Sequence, residues 1–459
     1  ENNAFNSSKI VQIALPEMLT TIEDSAFAGS ELTSIIIPES VSSIGNSVFQ
    51  ECALLESARF EKNSPLTQIG DTMFGWCESL TNVALPELLT SVPQQCFISC
   101  ISLEEIALPS GIISIKQKAF YNCLALETFI APEGVNNIGY NAIQGCAALT
   151  YVELPSTYTN AEEQFFLDCK SLEEIVLHYL PINSFVGKMF GATSNFDDYL
   201  SVTLSSVTYY VPNSLRKFTY KGIFGVDAHF TNLTMLEEIH ITNVTSVRRS
   251  VFSGCAGLTQ ITAPLSSTPI VGSIDHLGHL FFDQQNPNSS VNSMITNLTK
   301  VNIIEGVTAI QNDAFKGLNK IVEVNLPSTI TSIGDSAFES CSALTSITIP
   351  SDVTTIGDSA FRFCHALATV TFEDNSQLAS ISDSLFAYCT GLNTIAFGDN
   401  SIISIIGESA FRECASLLSI VIPDTVTTIG IDAFNYCDGL TNITFGENSQ
   451  LTTLGERAF

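Results

Sequence analysis

The 459 residues carry 18 lysines and arginines against 47 aspartates and glutamates, a net charge of −29. Charged residues make up only 14% and hydrophobic ones 45%, which excludes a disordered chain, since disorder needs high charge and little to bury. The scarcity of clustered Lys and Arg argues against nucleic acid as a partner, and no uninterrupted apolar run reaches the ~18 residues of a membrane span. Length alone suggests about three ordinary domains.

Taken in chain order, an Ala-Phe or similar pair returns at Phe5, Phe27, Phe49, Phe74, Phe97, Phe120, Ile143 (in the Phe slot) and Phe166. It returns again at Phe252, Phe315, Phe338, Phe361, Phe386, Phe411, Phe434 and Phe459. Within the first block, and from Phe315 onward, the spacing is 22 to 25 residues, while Phe252 stands 86 residues after Phe166 and 63 before Phe315. So regular a period marks a stack of short structural units, each unable to bury its apolar face alone. The three-domain expectation therefore gives way to one solenoid of about twenty coils.

The unit from Leu344 to Cys364 is the cleanest. Its Ser346-Ile347-Thr348-Ile349 stretch alternates with period two and predicts a short strand that Pro350 ends. Ten of the 16 prolines occupy that slot: Pro16, Pro38, Pro86, Pro109, Pro132, Pro155, Pro264, Pro327, Pro350 and Pro423. Proline donates no ladder hydrogen bond, so such a column marks where stacked parallel strands stop pairing. A second apolar step, such as Val353 and Ile356, points inward from the other side of the coil. Four residues before the Phe comes a glycine (Gly45, Gly70, Gly139, Gly334, Gly357, Gly407, Gly430, Gly455), for which a tight turn with positive φ is the expected reason. Where the interval is 25, the strand ends in Phe and an Asn-Ser turn, as at Phe60 with Asn63-Ser64 and at Phe372, Phe397 and Phe445. The coil tolerates two extra residues because loop length costs little entropy.

Twelve of the 13 cysteines sit three residues after the anchor (Cys52, Cys77, Cys100, Cys123, Cys146, Cys169, Cys255, Cys341, Cys364, Cys389, Cys414, Cys437), and only Cys96 is out of register. They read as buried free thiols acting as small hydrophobes. A disulfide framework needs a Cβ geometry that stacking does not guarantee, and zinc needs Cys-x-x-Cys clusters that are missing.

The pattern Leu-x-x-Ile-x-Ile-Pro-x-x-Val-x-x-Ile-Gly-x-x-Ala-Phe-x-x-Cys resembles the BspA-type leucine-rich repeats of bacterial and protist surface proteins, over about three quarters of the chain. The resemblance implies an α/β-type solenoid, predominantly β: a right-handed superhelix with a parallel sheet on its concave side. It also implies a noncatalytic cell-surface or secreted protein that binds other proteins, host matrix components among them. By regularity the chain divides into residues 1–177, regular; 178–300, irregular, including Phe185 to Phe190 and Val271 to Phe281; and 301–459, regular. The irregular segments read as longer loops on one continuous solenoid.

Outward strand positions give a candidate binding surface. The C-terminal strands offer mostly Ser and Thr. The middle offers Glu105, Tyr151, Glu153, Glu174, Glu238, His240 and Glu323, an acidic strip with one aromatic anchor that would suit a cationic protein partner; it reads equally as a solvated face following the overall charge. No catalytic constellation and no cofactor fingerprint stands in a suitable context. His276 and His279 beside Asp275 lack the helical Glu of a protease site, and Asp197-Asp198 lack calcium-loop spacing. Six Asn-x-Ser/Thr sequons, at Asn6, Asn232, Asn243, Asn288, Asn297 and Asn442, match chance. The chain opens in mid-repeat at Ala4-Phe5 and stops on Ala458-Phe459, which reads as a piece of a longer protein. A noncatalytic adhesin-like surface protein is the expected function, with an intracellular protein-interaction scaffold as the alternative.

Overall fold

The computed structural model describes residues 2–159, 164–178, 186–193, 196–204, 207–222, 230–242, 251–263, 277 and 297–459. They form two compact units, Glu1–Gly222 and Ile223–Phe459, and the division falls inside the irregular stretch. Phe185, Asp275, His276 and His279 lie outside the described residues, as do Pro264, Asn243 and Asn288.

Alternation decides the strands. In Ser346–Ile349 the two isoleucines are buried while Ser346 and Thr348 face out, so a period-two pattern seats one row in the core. In the first unit Ser34–Ile37, Ser57–Phe60 and Asn82–Ala84 pair in parallel. Thr128–Ile130, Tyr151–Glu153, Glu174–Leu177 and Lys217–Tyr220 form a second parallel set. In the second unit seven strands from Glu238–Ile241 to Thr394–Ala396 run in parallel order, and Ser419–Ile422 pairs with Asn442–Phe445. The second apolar step forms its own ladders of two-residue strands, such as Ser332–Ile333 with Thr355–Ile356. Among the described residues the helices are the short 3-10 turns Val186–Met189 and Phe196–Asp198. Each unit is thus a predominantly β solenoid of stacked parallel strands, and the α part of the α/β-type expectation is hardly represented.

Opposite the strands, in sequence, stands the anchor turn. Phe49, Phe74, Phe97 and Phe120 are fully buried, as are Phe315, Phe338 and Phe361. Their rings stack in a column, with centroids 5.5 Å apart between Phe74 and Phe97 and 5.0 Å between Phe338 and Phe361, nearly parallel in both cases. From Phe5 to Phe120 and from Phe315 to Phe434 each anchor amide also donates to the residue before the next anchor, as Phe338 N does to Ala360 O at 2.7 Å. Among the described residues the nine prolines of that column other than Pro264 hold the expected corner and each opens a turn, Val353 N donating to Pro350 O at 3.2 Å.

The glycine column has a different cause from the expected one. None of its eight members takes positive φ; the left-handed residues are two positions later, at Ser47, Thr72, Asn141, Ser336, Ser359, Ser409, Asp432 and Arg457. Glycine is needed for space instead. A Cβ on Gly357 would come within 2.3 Å of Asp335 N, and one on Gly70 within 2.0 Å of Gly45 O, so the stacked backbones leave no room for a side chain.

The irregular stretch hides further anchors. Phe166 N donates to Met189 O, Phe230 N to Val251 O and Leu277 N to Ala314 O, at 2.7 to 2.8 Å. Since the anchors from Phe5 to Phe120 and from Phe315 to Phe434 bond to the residue before their successors, Phe190, Phe230 and Leu277 occupy anchor positions. Glu174–Leu177 and Lys217–Tyr220 meet in full register across an insertion that folds as the antiparallel hairpin Tyr199–Leu204 with Val207–Pro212. Gln260–Ala263 likewise meets Lys300–Ile303 in register.

Two substitutions test this packing. Phe361→Ala is expected to cost ~3 to 5 kcal/mol in denaturant unfolding, because the fully buried ring leaves a cavity between two neighbours; a midpoint shift worth less than ~1 kcal/mol would contradict it. Gly357→Ala is expected to cost about 1 to 3 kcal/mol through backbone overpacking, whereas Ser359→Gly, at φ +59, leaves stability unchanged or raises it. Equal effects of the two changes would refute the spatial account.

Candidate functional site

The strand wall presents two networks, one in each unit. In the first, strand register places Tyr151 beside Glu174 and Glu174 beside Lys217. Tyr151 Oη donates to Glu153 Oε2 at 2.8 Å, Lys221 Nζ donates to Glu153 Oε1 at 2.8 Å, and Lys217 Nζ lies 2.9 Å from Glu174 Oε1. All five side chains are half-buried or close to it. The Lys221 hydrogen bond, with Tyr151 helping, holds the Glu153 carboxyl below its ordinary value against the opposing effect of burial. Burial, and then the neighbouring Glu153, pushes the Tyr151 hydroxyl up, so Tyr151 stays a neutral donor. Beside them desolvation pushes His178 down, keeping it neutral near pH 7.

Glu105 stands apart from this group. Residues 103–109 form no strand, and Asn82–Ala84 is paired on one side only. A cleft of about 780 Å³ opens there, lined by Asn82, Glu87, Leu88, Glu105, Pro109 and Thr128 among others. Glu105 is exposed within it and has no ion-pair partner among the described residues.

In the second unit Glu238 aligns with Gln260, Lys300 and Glu323 across successive strands. Lys300 Nζ lies 2.9 Å from Glu323 Oε1, and Asn325 Nδ2 donates to the same oxygen at 2.8 Å and to Asn302 Oδ1 at 2.7 Å. These bonds, the one from Lys300 foremost, keep the Glu323 carboxyl below its ordinary value. His240 Nε2 lies 3.3 Å from Glu238 Oε2.

The strip expected from sequence therefore divides into Glu105, Tyr151, Glu153 and Glu174 in one unit and Glu238, His240 and Glu323 in the other. Its electrostatic character also changes. Three of its five glutamates hold a lysine and a fourth faces His240, so the rows alternate in charge. Sequence reasoning missed Lys217, Lys221 and Lys300 because the strands Lys217–Tyr220 and Lys300–Ile303 follow the irregular segments, where counting from the Phe lost its register. The alternation in Lys217-Phe218-Thr219-Tyr220 was the available signal.

The cysteine column also has more chemistry than packing. All 13 cysteines are free and all but Cys437 are buried. Each of the twelve in register places its Sγ on the anchor carbonyl of the preceding coil, as Cys77 does on Phe49 O at 3.0 Å and Cys364 on Phe338 O at 3.2 Å. That carbonyl already accepts the amide of its own coil's cysteine, Cys52 N to Phe49 O at 3.2 Å, so the thiol takes its second lone pair. Burial pushes Cys169, Cys255 and Cys341 up to about 12, which makes them inert as nucleophiles.

The profile of the BspA type leucine rich repeat region matches residues 1–123, 90–215, 225–274, 293–405 and 404–459. Similar solved structures include a leucine-rich repeat protein from Bacteroides ovatus, 22% identical over 93% of this chain and 84% of that one, with a TM-score of 0.31. A leucine rich cell surface protein from Faecalibacterium prausnitzii is 22% identical over 86% and 88%, with a TM-score of 0.26. An internalin from Listeria monocytogenes is 13% identical over 79% and 86%, also at 0.26. No curated protein matches the chain.

The thiol column predicts an alkaline limit to stability. A thiol raised in the folded state stabilises fully below the unfolded value near 9 and loses that contribution as pH rises toward about 12. The urea midpoint should fall from about pH 9 upward, and less steeply in a variant carrying Cys169→Ala and Cys341→Ala. Thiol titration after unfolding without reductant should return all 13; fewer than about ten would show that the column pairs.

Proposed function

The chain belongs to the BspA-type leucine-rich repeat family, and we propose that it is a noncatalytic, adhesin-like protein of the cell surface that holds its strand wall against another protein, a host or matrix protein foremost. In this reading the coil is right-handed and the strand wall lines its concave side, giving a partner an extended seat. The observation that carries it is the Tyr151–Glu153–Lys221 network. A half-buried tyrosine and an ion pair held by mutual hydrogen bonds meet a partner with little ordering cost, and tyrosine is a favoured anchor at interfaces. The alternating charges suit a partner of complementary pattern, and the exposed Glu105 in its cleft adds a site for one cationic side chain.

The column of free thiols favours the second reading, an intracellular scaffold, because reducing compartments keep thiols free; the burial of all but one of them makes them compatible with an oxidising exterior too.

Surface labelling of intact source cells separates the two, since a wholly cytosolic pool defeats the adhesin reading. For the site, immobilised matrix proteins are expected to bind the full chain and to lose at least tenfold in affinity with Tyr151→Ala combined with Glu153→Lys, a loss worth about 1.4 kcal/mol or more. Unchanged binding by that double variant would remove the strand wall of the first unit from the interface.

A further inference from the structure

A different wall of the second unit carries features that core packing does not explain. Two residues after the regular anchors the backbone is left-handed, and in most coils a small or turn-forming residue sits there (Gly29, Ser99, Asn122, Gly145, Asp168, Gly254, Gly317 and Ser340), with Glu51 and Trp76 the exceptions in the first unit. After the anchors Phe361, Phe386, Phe411 and Phe434 the slot holds Phe363, Tyr388, Glu413 and Tyr436, at φ +61, +64, +58 and +58. A bulky aromatic at positive φ is strained, and burial does not repay it here. Phe363 and Tyr388 are half-buried and Tyr436 is 57% exposed.

These rings are joined to arginines. Phe363 and Tyr388 stack at 4.7 Å, and the Arg362 guanidinium lies 4.5 Å from the first ring centroid and 5.4 Å from the second. Arg412 lies 5.4 Å from the Tyr436 ring. Arg412 is held by Asp432 at 3.5 Å, but Arg362 has no carboxylate among the described residues. Its Nε is buried without a hydrogen-bond partner, and the Arg362 side chain is only half-buried overall. A flat guanidinium fixed on aromatic faces is pre-ordered to receive a carboxylate through two parallel hydrogen bonds. The net charge of −29 does not forbid this, because at physiological salt charges beyond about 8 Å are largely screened.

We propose that this arginine–aromatic wall of the second unit docks an acidic, apolar-flanked segment of another protein, with Arg362 on Phe363 and Tyr388 receiving a partner carboxylate. The surface combines the residue types that dominate interface energetics, and it is separate from the strand wall, so the two sites fail independently.

The test uses the full chain and a fluorescein-labelled ten-residue peptide of alternating glutamate and leucine, followed by anisotropy at low and physiological salt. Saturable binding is expected. It should weaken at least tenfold in Arg362→Gln and less in Arg362→Lys, which keeps the charge but not the fork. The variant with Tyr151→Ala and Glu153→Lys should bind the peptide like the parent chain. Thermal unfolding of each variant confirms that it is folded, and Tyr388→Ala serves as the second probe of the wall should Arg362→Gln not fold. Absence of saturable binding overturns the proposal, as does equal affinity in folded Arg362→Gln or equal loss with a lysine–leucine peptide. Self-association in sedimentation that Arg362→Gln abolishes would assign the wall to a second copy instead, and equally overturns it.

Discussion

The coil-to-coil contact at the anchor phenylalanine is the constraint on which the rest depends. One carbonyl there accepts two donors, its own coil's cysteine amide and the next coil's thiol, while the anchor amide reaches forward and the ring stacks at about 5 Å. A weak donor such as a thiol suits the position because it is small, apolar enough for the core and able to satisfy a lone pair that water cannot reach. The repeat of this contact sets how closely successive backbones approach. That approach removes the room for a Cβ on Gly357 and its equivalents, and it brings the strands into pairing register.

Register turns sequence positions into rows of side chains. Residues at one position of successive coils become neighbours, so like charges repeated there repel and opposite ones pair. On the strand wall the rows through Glu174 and Lys217, and through Lys300 and Glu323, use this to alternate charge. On the turn wall the same geometry brings Phe363 against Tyr388 across two coils and lays Arg362 over both. A fold of this kind does not itself specify a function; the exposed rows do.

Much of the architecture was legible in the chain alone. The Phe interval, the proline corner and the cysteine three residues later recur because every coil must meet the same neighbour. The strand alternation from Ser346 to Ile349 follows from one buried face. Where regularity lapsed, legibility lapsed with it: Phe190, Phe230 and Leu277 went unrecognised as anchors because the insertions displaced them from the 23-residue beat. The glycine column was visible but its cause was not, since a close approach between coils and a positive φ leave the same residue in the sequence.

The sequence by itself determined the repeat, the stacking of parallel strands and the family, because these rest on spacing and on the burial of apolar side chains, which are local and periodic. Only the tertiary structure decided which side chains meet. Glu153 and Lys221 are 68 residues apart and Lys300 and Glu323 belong to different coils, and their pairing depends on strand register across insertions whose length the sequence does not translate into position. An apparently acidic strip thereby became a set of ion pairs, and residues left out of the reading, Lys217, Lys221, Lys300 and Arg362, became those that give the two walls their chemistry.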